Sequence, residues 1–213
     1  MDWYFVGVDL GQVRDPTAIA VVERKEMAGD WDAVAFAYVK KVTLSLRLLE
    51  RVALGTPYPE VVERVVQVTR SPELAGRCHL AVDGTGVGPP VIDMLRRAKL
   101  DCKLMPVTIT GGQSECMENG YHRVPKRDLI VGLQVLFQRG GLKIPRCLKD
   151  GPALVTELAG MRVKITPAGN EQIVTWREGA HDDQVFAVAL AYWAANKMYP
   201  NPPEGDDRWM RRI

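Results

Sequence analysis

Residues 4–22 read YFVGVDLGQVRDPTAIAVV, and this stretch decides the fold. Tyr4 to Asp9 is a short β-rich run that closes on an aspartate, GQVRDP is turn-forming, and Ala18 to Glu23 is a second β-rich run. Beyond the stretch MAGD (27–30), Ala33 to Lys41 (AVAFAYVKK) forms a third run. Links this short suit an antiparallel meander.

The hydrophobic period then changes. Between Tyr58 and Arg70, Val61, Val62, Val65, Val66 and Val68 fall largely on one helical face, behind Pro57 and Pro59. A buried strand at Cys78 to Val82, a helix over Pro90 to Ala98 and a strand at Cys102 to Val107 read as a right-handed parallel crossover. Lys126 to Arg139 is an amphipathic helix stopped by Gly140 and Gly141, and a shorter helix spans Pro152 to Leu158. Two alternating runs, Met161 to Thr166 and Gln172 to Trp176, flank PAGNE as a hairpin. The last helix, Asp182 to Lys197, is so apolar that it must be buried against a sheet. The expectation is an α/β fold with a mixed five-stranded sheet, three strands antiparallel and then parallel ones, with helices on both faces. One domain spans 1–198, and 199–213 (beginning with Tyr199) is a loose tail.

The bulk composition fits one core. At 213 residues, 46% hydrophobic and 25% charged, the chain suits a single soluble domain. A net charge of +2 argues against a histone-like coating protein but allows a local basic groove. Cys78, Cys102, Cys116 and Cys147 form no CxxC pair, so neither a zinc site nor a disulfide framework is expected. The N-terminus carries Asp2 and Asp9 and is neither a signal peptide nor a membrane span, so a cytoplasmic location is expected.

Three carboxylate positions stand at the ends of apolar elements: Asp9 in VGVDLG, Asp83 in LAVDGTG, and Asp182 with Asp183 beside His181 in GAHDDQVFAVAL. A charge at the edge of a buried run is costly unless it is paired or bound to a cation. If the first and fourth strands are neighbours, Asp9 and Asp83 share a sheet edge, and the last helix can deliver a third carboxylate there. Oxygen ligands without cysteine favour Mg²⁺ or Mn²⁺. Two such ions about 4 Å apart activate water and stabilise the leaving oxygen of a phosphodiester. Taken singly, each aspartate also reads as a turn former or helix cap.

The stretches VGVDLGQVRDPTAIAVV, LAVDGTGVGPPVIDML, VTITGG, VPKRDLIVGLQVLFQRGGLKI and AHDDQVFAVALAYW occur in one order across most of residues 3–195. In that order they resemble the nuclease domain of phage large terminases, an RNase H-like domain of the DNA-packaging motor subunit. The resemblance implies metal-binding, catalytic carboxylates at Asp9, Asp83 and Asp183. Asp182 would be an auxiliary or alternative ligand, and His181 would stand behind the ligands. Asp9 would bridge two Mg²⁺ or Mn²⁺ ions while Asp83 and Asp183 hold one each, for hydrolytic cleavage of DNA. The expected hairpin at Met161 to Trp176 matches one that flanks the family's active site. Arg162 and Lys164 on it, with Lys126 and Arg127 at a helix start, are candidate DNA contacts.

The same resemblance implies double-stranded DNA as substrate, cut from concatemers during genome packaging. It implies an ATPase motor, a small terminase and a portal as partners, and a monomeric isolated domain. No GxxxxGK[ST] phosphate loop is present, so no ATP site is expected in this chain. A cut-out domain, a prophage remnant and a stand-alone nuclease all remain open as its origin. Three rivals remain beside this reading. One is a Holliday-junction-resolvase-like nuclease, and another is a non-catalytic domain that binds DNA or the motor. The third is a relative of the actin and sugar-kinase superfamily, whose phosphate loops GVDLG and VDGTG resemble.

Overall fold

The computed structural model describes residues 2–11, 15–34, 36–86, 88–165, 171–175 and 182–200, with only the backbone described for 162–165 and 171–175. The expected meander is present: β1 (Asp2–Asp9) pairs antiparallel with β2 (Ala18–Asp32), which pairs antiparallel with β3 (Ala37–Arg51). α1 (Tyr58–Thr69) leads into β4 (Cys78–Asp83), which lies parallel beside β1. α2 (Gly88–Arg97) then crosses to β5 (Lys103–Thr110), parallel to β4.

The sheet has eight strands rather than five. β6 (Cys116–Glu118) and β7 (Tyr121–Pro125) extend one edge, and β8 (Leu142–Lys143) makes a brief parallel contact with β3 at the other. The order across it is β6-β7-β5-β4-β1-β2-β3-β8. The extra hairpin turns on Asn119 and Gly120, both at positive φ (51° and 79°). That is the backbone of a tight two-residue turn, which favours Asn-Gly because both residues tolerate the left-handed region.

The second and third strands also differ from expectation. MAGD is no turn: β2 runs through it, and a register shift between Ala28 and Trp31 absorbs the irregularity. The chain reverses only after Asp32, and the alternation of TLSLRLLER carries β3 on to Arg51. The distal part of this ribbon presents exposed Trp31, Phe36 and Tyr38, with the Trp31 ring edge-on to both others.

Strand alternation divides the core in two. Val6, Val8, Ile19, Val21, Leu80 and Val82 face α1 and α2. Phe5, Ala18, Ala20, Val22 and Ala81 face the opposite side. There they meet α3 (Lys126–Gln138), α4 (Gly151–Gly160) and α5 (Asp183–Met198). The hairpin expected after α4 forms a separate two-stranded unit, β9 (Met161–Ile165) with β10 (Glu171–Thr175). At the other end of α5, Tyr199 packs against Trp3, Phe5 and His79. Residues 201–213 of the expected tail lie outside the described residues. Among those described, no helix is long and apolar enough to cross a membrane.

The apolar character of α5 is explained by its neighbours, since it is covered by the sheet on one side and by α3 and α4 on the other. Val185, Phe186, Val188 and Leu190 are all buried. Each contributes roughly 1.5–3 kcal/mol of transfer free energy. α5 also crosses β1 at Gly7 with almost no clearance. A Cβ added to Gly7 would lie 1.9 Å from the carbonyl oxygen of Ala187 and 2.6 Å from the amide nitrogen of Ala191. Both are backbone atoms, so neither can swing aside. Gly7→Ala is therefore expected to cost roughly 3 kcal/mol or more, at the upper end of core overpacking. Urea denaturation measures this, and an unchanged midpoint would show that α5 does not sit so close.

Candidate active site

The register of the sheet builds one row of residues along one edge. Asp9 pairs with Ala18, and Ala18 pairs with Arg51. Val8 opposite Val82 brings Asp9 beside Asp83, which pairs in turn with Val107. Alternation sets Asp9 on the face of Phe5 and Gly7, and Asp83 on the face of Ala81, both toward α5. Because Ala187 rests on Gly7, Asp183 lies one helical turn further along, at the level of Asp9. Asp9, Asp83 and Asp183, predicted from three separate motifs, thus come to one place.

Each carboxylate has its own environment. The Asp83 Oδ1 accepts from the amide (2.9 Å) and hydroxyl (2.5 Å) of Thr85, whose Oγ1 accepts from the Ile109 amide at 3.0 Å. Asp182 occupies the N-cap position of α5 but makes no capping hydrogen bond. Its Oδ2 lies 3.8 Å from Lys126 Nζ, which also sits 4.7 Å over the Phe186 ring. Asp183 is buried and gripped by a two-pronged guanidinium: Arg51 Nε donates to Oδ2 at 2.8 Å and Nη2 to Oδ1 at 3.2 Å. The same Nη2 bonds Glu157 on α4, whose other oxygen accepts from the Val185 amide at 3.4 Å.

Among the described residues, negative charge is in excess here. Burial pushes the Asp9 carboxyl well up, and Asp83, Asp182 and Asp183 push it further, while Lys126 opposes them. Burial likewise raises Asp83 against its Thr85 hydrogen bonds, and Asp182 against Lys126. Burial raises Glu157 to about 7 in spite of Arg51, and Asp183 and Asp182 raise it further. Like charges held at close range with little solvent resist full ionisation unless a cation joins them. An all-oxygen donor set of this kind suits a hard divalent ion. Among the described residues, however, no three acidic, histidine or cysteine side chains converge tightly enough to ligate an ion as placed. Thr85, Lys126 and Arg51 engage Asp83, Asp182 and Asp183 respectively instead.

Of the other residues singled out, Lys126 reaches the site, and Arg127 is exposed beside it at the start of α3. His181 and the side chains of Arg162 and Lys164 lie outside what is described. Arg51, Glu157 and Thr85 went unnoticed in the sequence. Glu157 carried a signal, being the only ionisable residue in the helix GPALVTELAG. Arg51 closes the alternating run TLSLRLLER, so counting its register would have brought it to the same edge.

The fold is a mixed α/β sheet with helices on both faces, and the acidic row lies along one of its edges. No protein-family model matches the chain, and no curated sequence does. Among solved structures it is similar to the large terminase nuclease of thermophilic phage G20c with bound magnesium. The TM-score is 0.60 at 23% identity, over 90% of this chain and 81% of that one. It is also similar to the nuclease domain of the bacteriophage SPP1 large terminase with bound manganese, with TM-score 0.51 and 11% identity over 90% and 86% of the two chains. The manganese-soaked nuclease domain of human cytomegalovirus terminase gives TM-score 0.51 and 13% identity over 92% and 86%. The chain therefore has the fold of terminase nuclease domains.

The Glu157 carboxyl binds its proton more tightly in the folded chain than in the unfolded one. From its ordinary value of 4.5 up to about 7, the folded state carries the extra proton, so stability falls as pH rises through that window. In EDTA, wild type is expected to lose more melting temperature between about pH 5 and pH 7.5 than Glu157→Gln. Parallel curves would show that Glu157 ionises freely.

Proposed function

We propose that this chain is a metal-dependent DNA endonuclease of the large-terminase type, hydrolysing phosphodiesters of concatemeric viral DNA during genome packaging. The observation that carries this reading is the alignment of Asp9, Asp83 and Asp183 along one sheet edge beneath the start of α5. Its fold is shared with nucleases solved with magnesium, cobalt or manganese. Two divalent ions, Mg²⁺ or Mn²⁺, would be held by Asp9, Asp83 and Asp183, with Asp182 as an auxiliary or alternative ligand. Ions there supply Lewis acidity at the phosphate and make water a better nucleophile near neutral pH.

The chain's own residues do the rest. Asp83 is fixed for its task by Thr85, which holds one carboxylate oxygen through both amide and hydroxyl. Asp9 and Asp182 are partly open to solvent, so a DNA backbone can approach the row from outside the sheet edge. Lys126, half-exposed at the rim, is placed to meet a phosphate oxygen when DNA displaces its contact with Asp182. Arg127, and Arg162 and Lys164 on the β9–β10 hairpin, are proposed to extend that phosphate-binding surface, with His181 supporting the ligands. A monomeric domain working with an ATPase motor, a small terminase and a portal in the host cytoplasm completes the reading. It needs no ATP site of its own.

Plasmid cleavage tests it. Nicking by the purified chain with Mn²⁺ or Mg²⁺ is expected, abolished by EDTA, and reduced by Asp83→Ala by on the order of 10³-fold or more, since the lost group serves the transition state. A folded wild type that cuts nothing with either ion would shift the assignment to a domain that binds DNA or the motor without cutting. Wild-type cleavage by Asp83→Ala would remove that residue from the site.

A further inference from the structure

Arg51 stands where no nuclease chemistry obviously calls for a cation. It enters the acidic row from the end of β3 and bonds both oxygens of Asp183 through Nε and Nη2. It holds Glu157 through the same Nη2. The two carboxylates are almost sealed from solvent, with side-chain exposures of 3% for Asp183 and 9% for Glu157, against 30% for Arg51. Asp183 is therefore a proposed ion ligand whose buried carboxylate is already neutralised by a side chain of the same protein.

We propose that Arg51 is a tethered counter-cation: it holds Asp183 and Glu157 in place in the ion-free protein and competes with the divalent ion for Asp183. The inference rests on the metal-site reading above and adds a positioning residue to it. Three observations support it. The row holds Asp9, Asp83, Asp182, Asp183 and Glu157, and among the described residues Arg51 and Lys126 bring positive charge into contact with it. A two-pronged guanidinium is the side chain best matched to a carboxylate, and Lys cannot reproduce its geometry. Among the described residues the acidic groups do not converge as an ion cage while Arg51 engages Asp183, as expected if the fork must loosen before an ion is fully ligated.

Glu157 gives Arg51 a second anchor. When the fork loosens its hold on Asp183, the guanidinium stays paired with Glu157, so it is not left as an unpaired cation beside the incoming one. Entry of the ion becomes an exchange of cations on one carboxylate, and the buried charge is compensated on both sides of the exchange. The apparent ion affinity of the wild type is lowered by that competition.

Calorimetric titration of Mn²⁺ into the DNA-free protein tests this, alongside melting temperatures in EDTA. Arg51→Gln is expected to bind Mn²⁺ more tightly by on the order of tenfold, because a unit positive charge in contact with a ligand has gone. In EDTA the same variant is expected to melt lower than wild type, since two buried carboxylates have lost the guanidinium that pairs with both. A purely structural role would lower the melting temperature without tightening Mn²⁺ binding. Arg51→Lys keeps the charge but not the fork, and is expected to shift both readouts in the same directions by less. It decides the matter if Arg51→Gln does not fold. Unchanged or weaker Mn²⁺ binding by the variants, with wild type binding normally, overturns the proposal while leaving the metal site intact. Absence of Mn²⁺ binding by wild type and variants alike overturns both.

Discussion

The contact between α5 and β1 at Gly7 is the constraint on which the site depends. With no Cβ on Gly7, the carbonyl of Ala187 comes within a distance that any side chain would forbid. That closeness sets the height of α5 over the sheet, and so brings Asp183 down to the level of Asp9. A helix held one side-chain layer further out would lift Asp183 from the row by several ångströms. The other carboxylates would then face solvent without it. Burial of Val185, Phe186, Val188 and Leu190 supplies the driving force that closes this contact. The core and the site are in this sense one structure, since the packing that stabilises the domain also concentrates its negative charge.

That concentration runs against stability. Asp9, Asp83, Asp182 and Glu157 all hold their protons more firmly than free carboxylates, burial being the first cause in each case. A fold selected for stability alone would not gather buried acidic groups at one sheet edge. The tension is the physical ground on which the edge is proposed as a cation site. Arg51 and Lys126 relieve part of it, each on a different aspartate, and a bound divalent ion would relieve more.

Much of this was legible in the sequence, for local reasons. Asp9, Asp83 and the Asp182–Asp183 pair stand at the ends of runs whose apolar period identifies them as strands or a helix. Period and end position together place these residues at one edge of the sheet. Asn119–Gly120 was equally local, a tight-turn signal between short β-prone runs, and passing over it left β6 and β7 out of the sheet. MAGD misled because glycine in a polar stretch suggests a turn, whereas here a register irregularity kept the ladder running. Arg51 and Glu157 were hidden for a different reason. Their partners are far away in sequence, Asp183 being 132 residues from Arg51, and no local period encodes such a pairing. It follows only once strand register and helix docking are both known.

The row of Asp9, Asp83 and Asp183 is proposed to hold divalent ions. Anomalous X-ray scattering from crystals of this chain soaked in Mn²⁺ tests it most directly. Peaks bounded by Asp9 and Asp83, with Asp183 or Asp182 turned toward one of them and Arg51 drawn back toward Glu157, are the expected result. A fully soaked crystal with no peak at this edge, and Arg51 still bonded to both oxygens of Asp183, would contradict it.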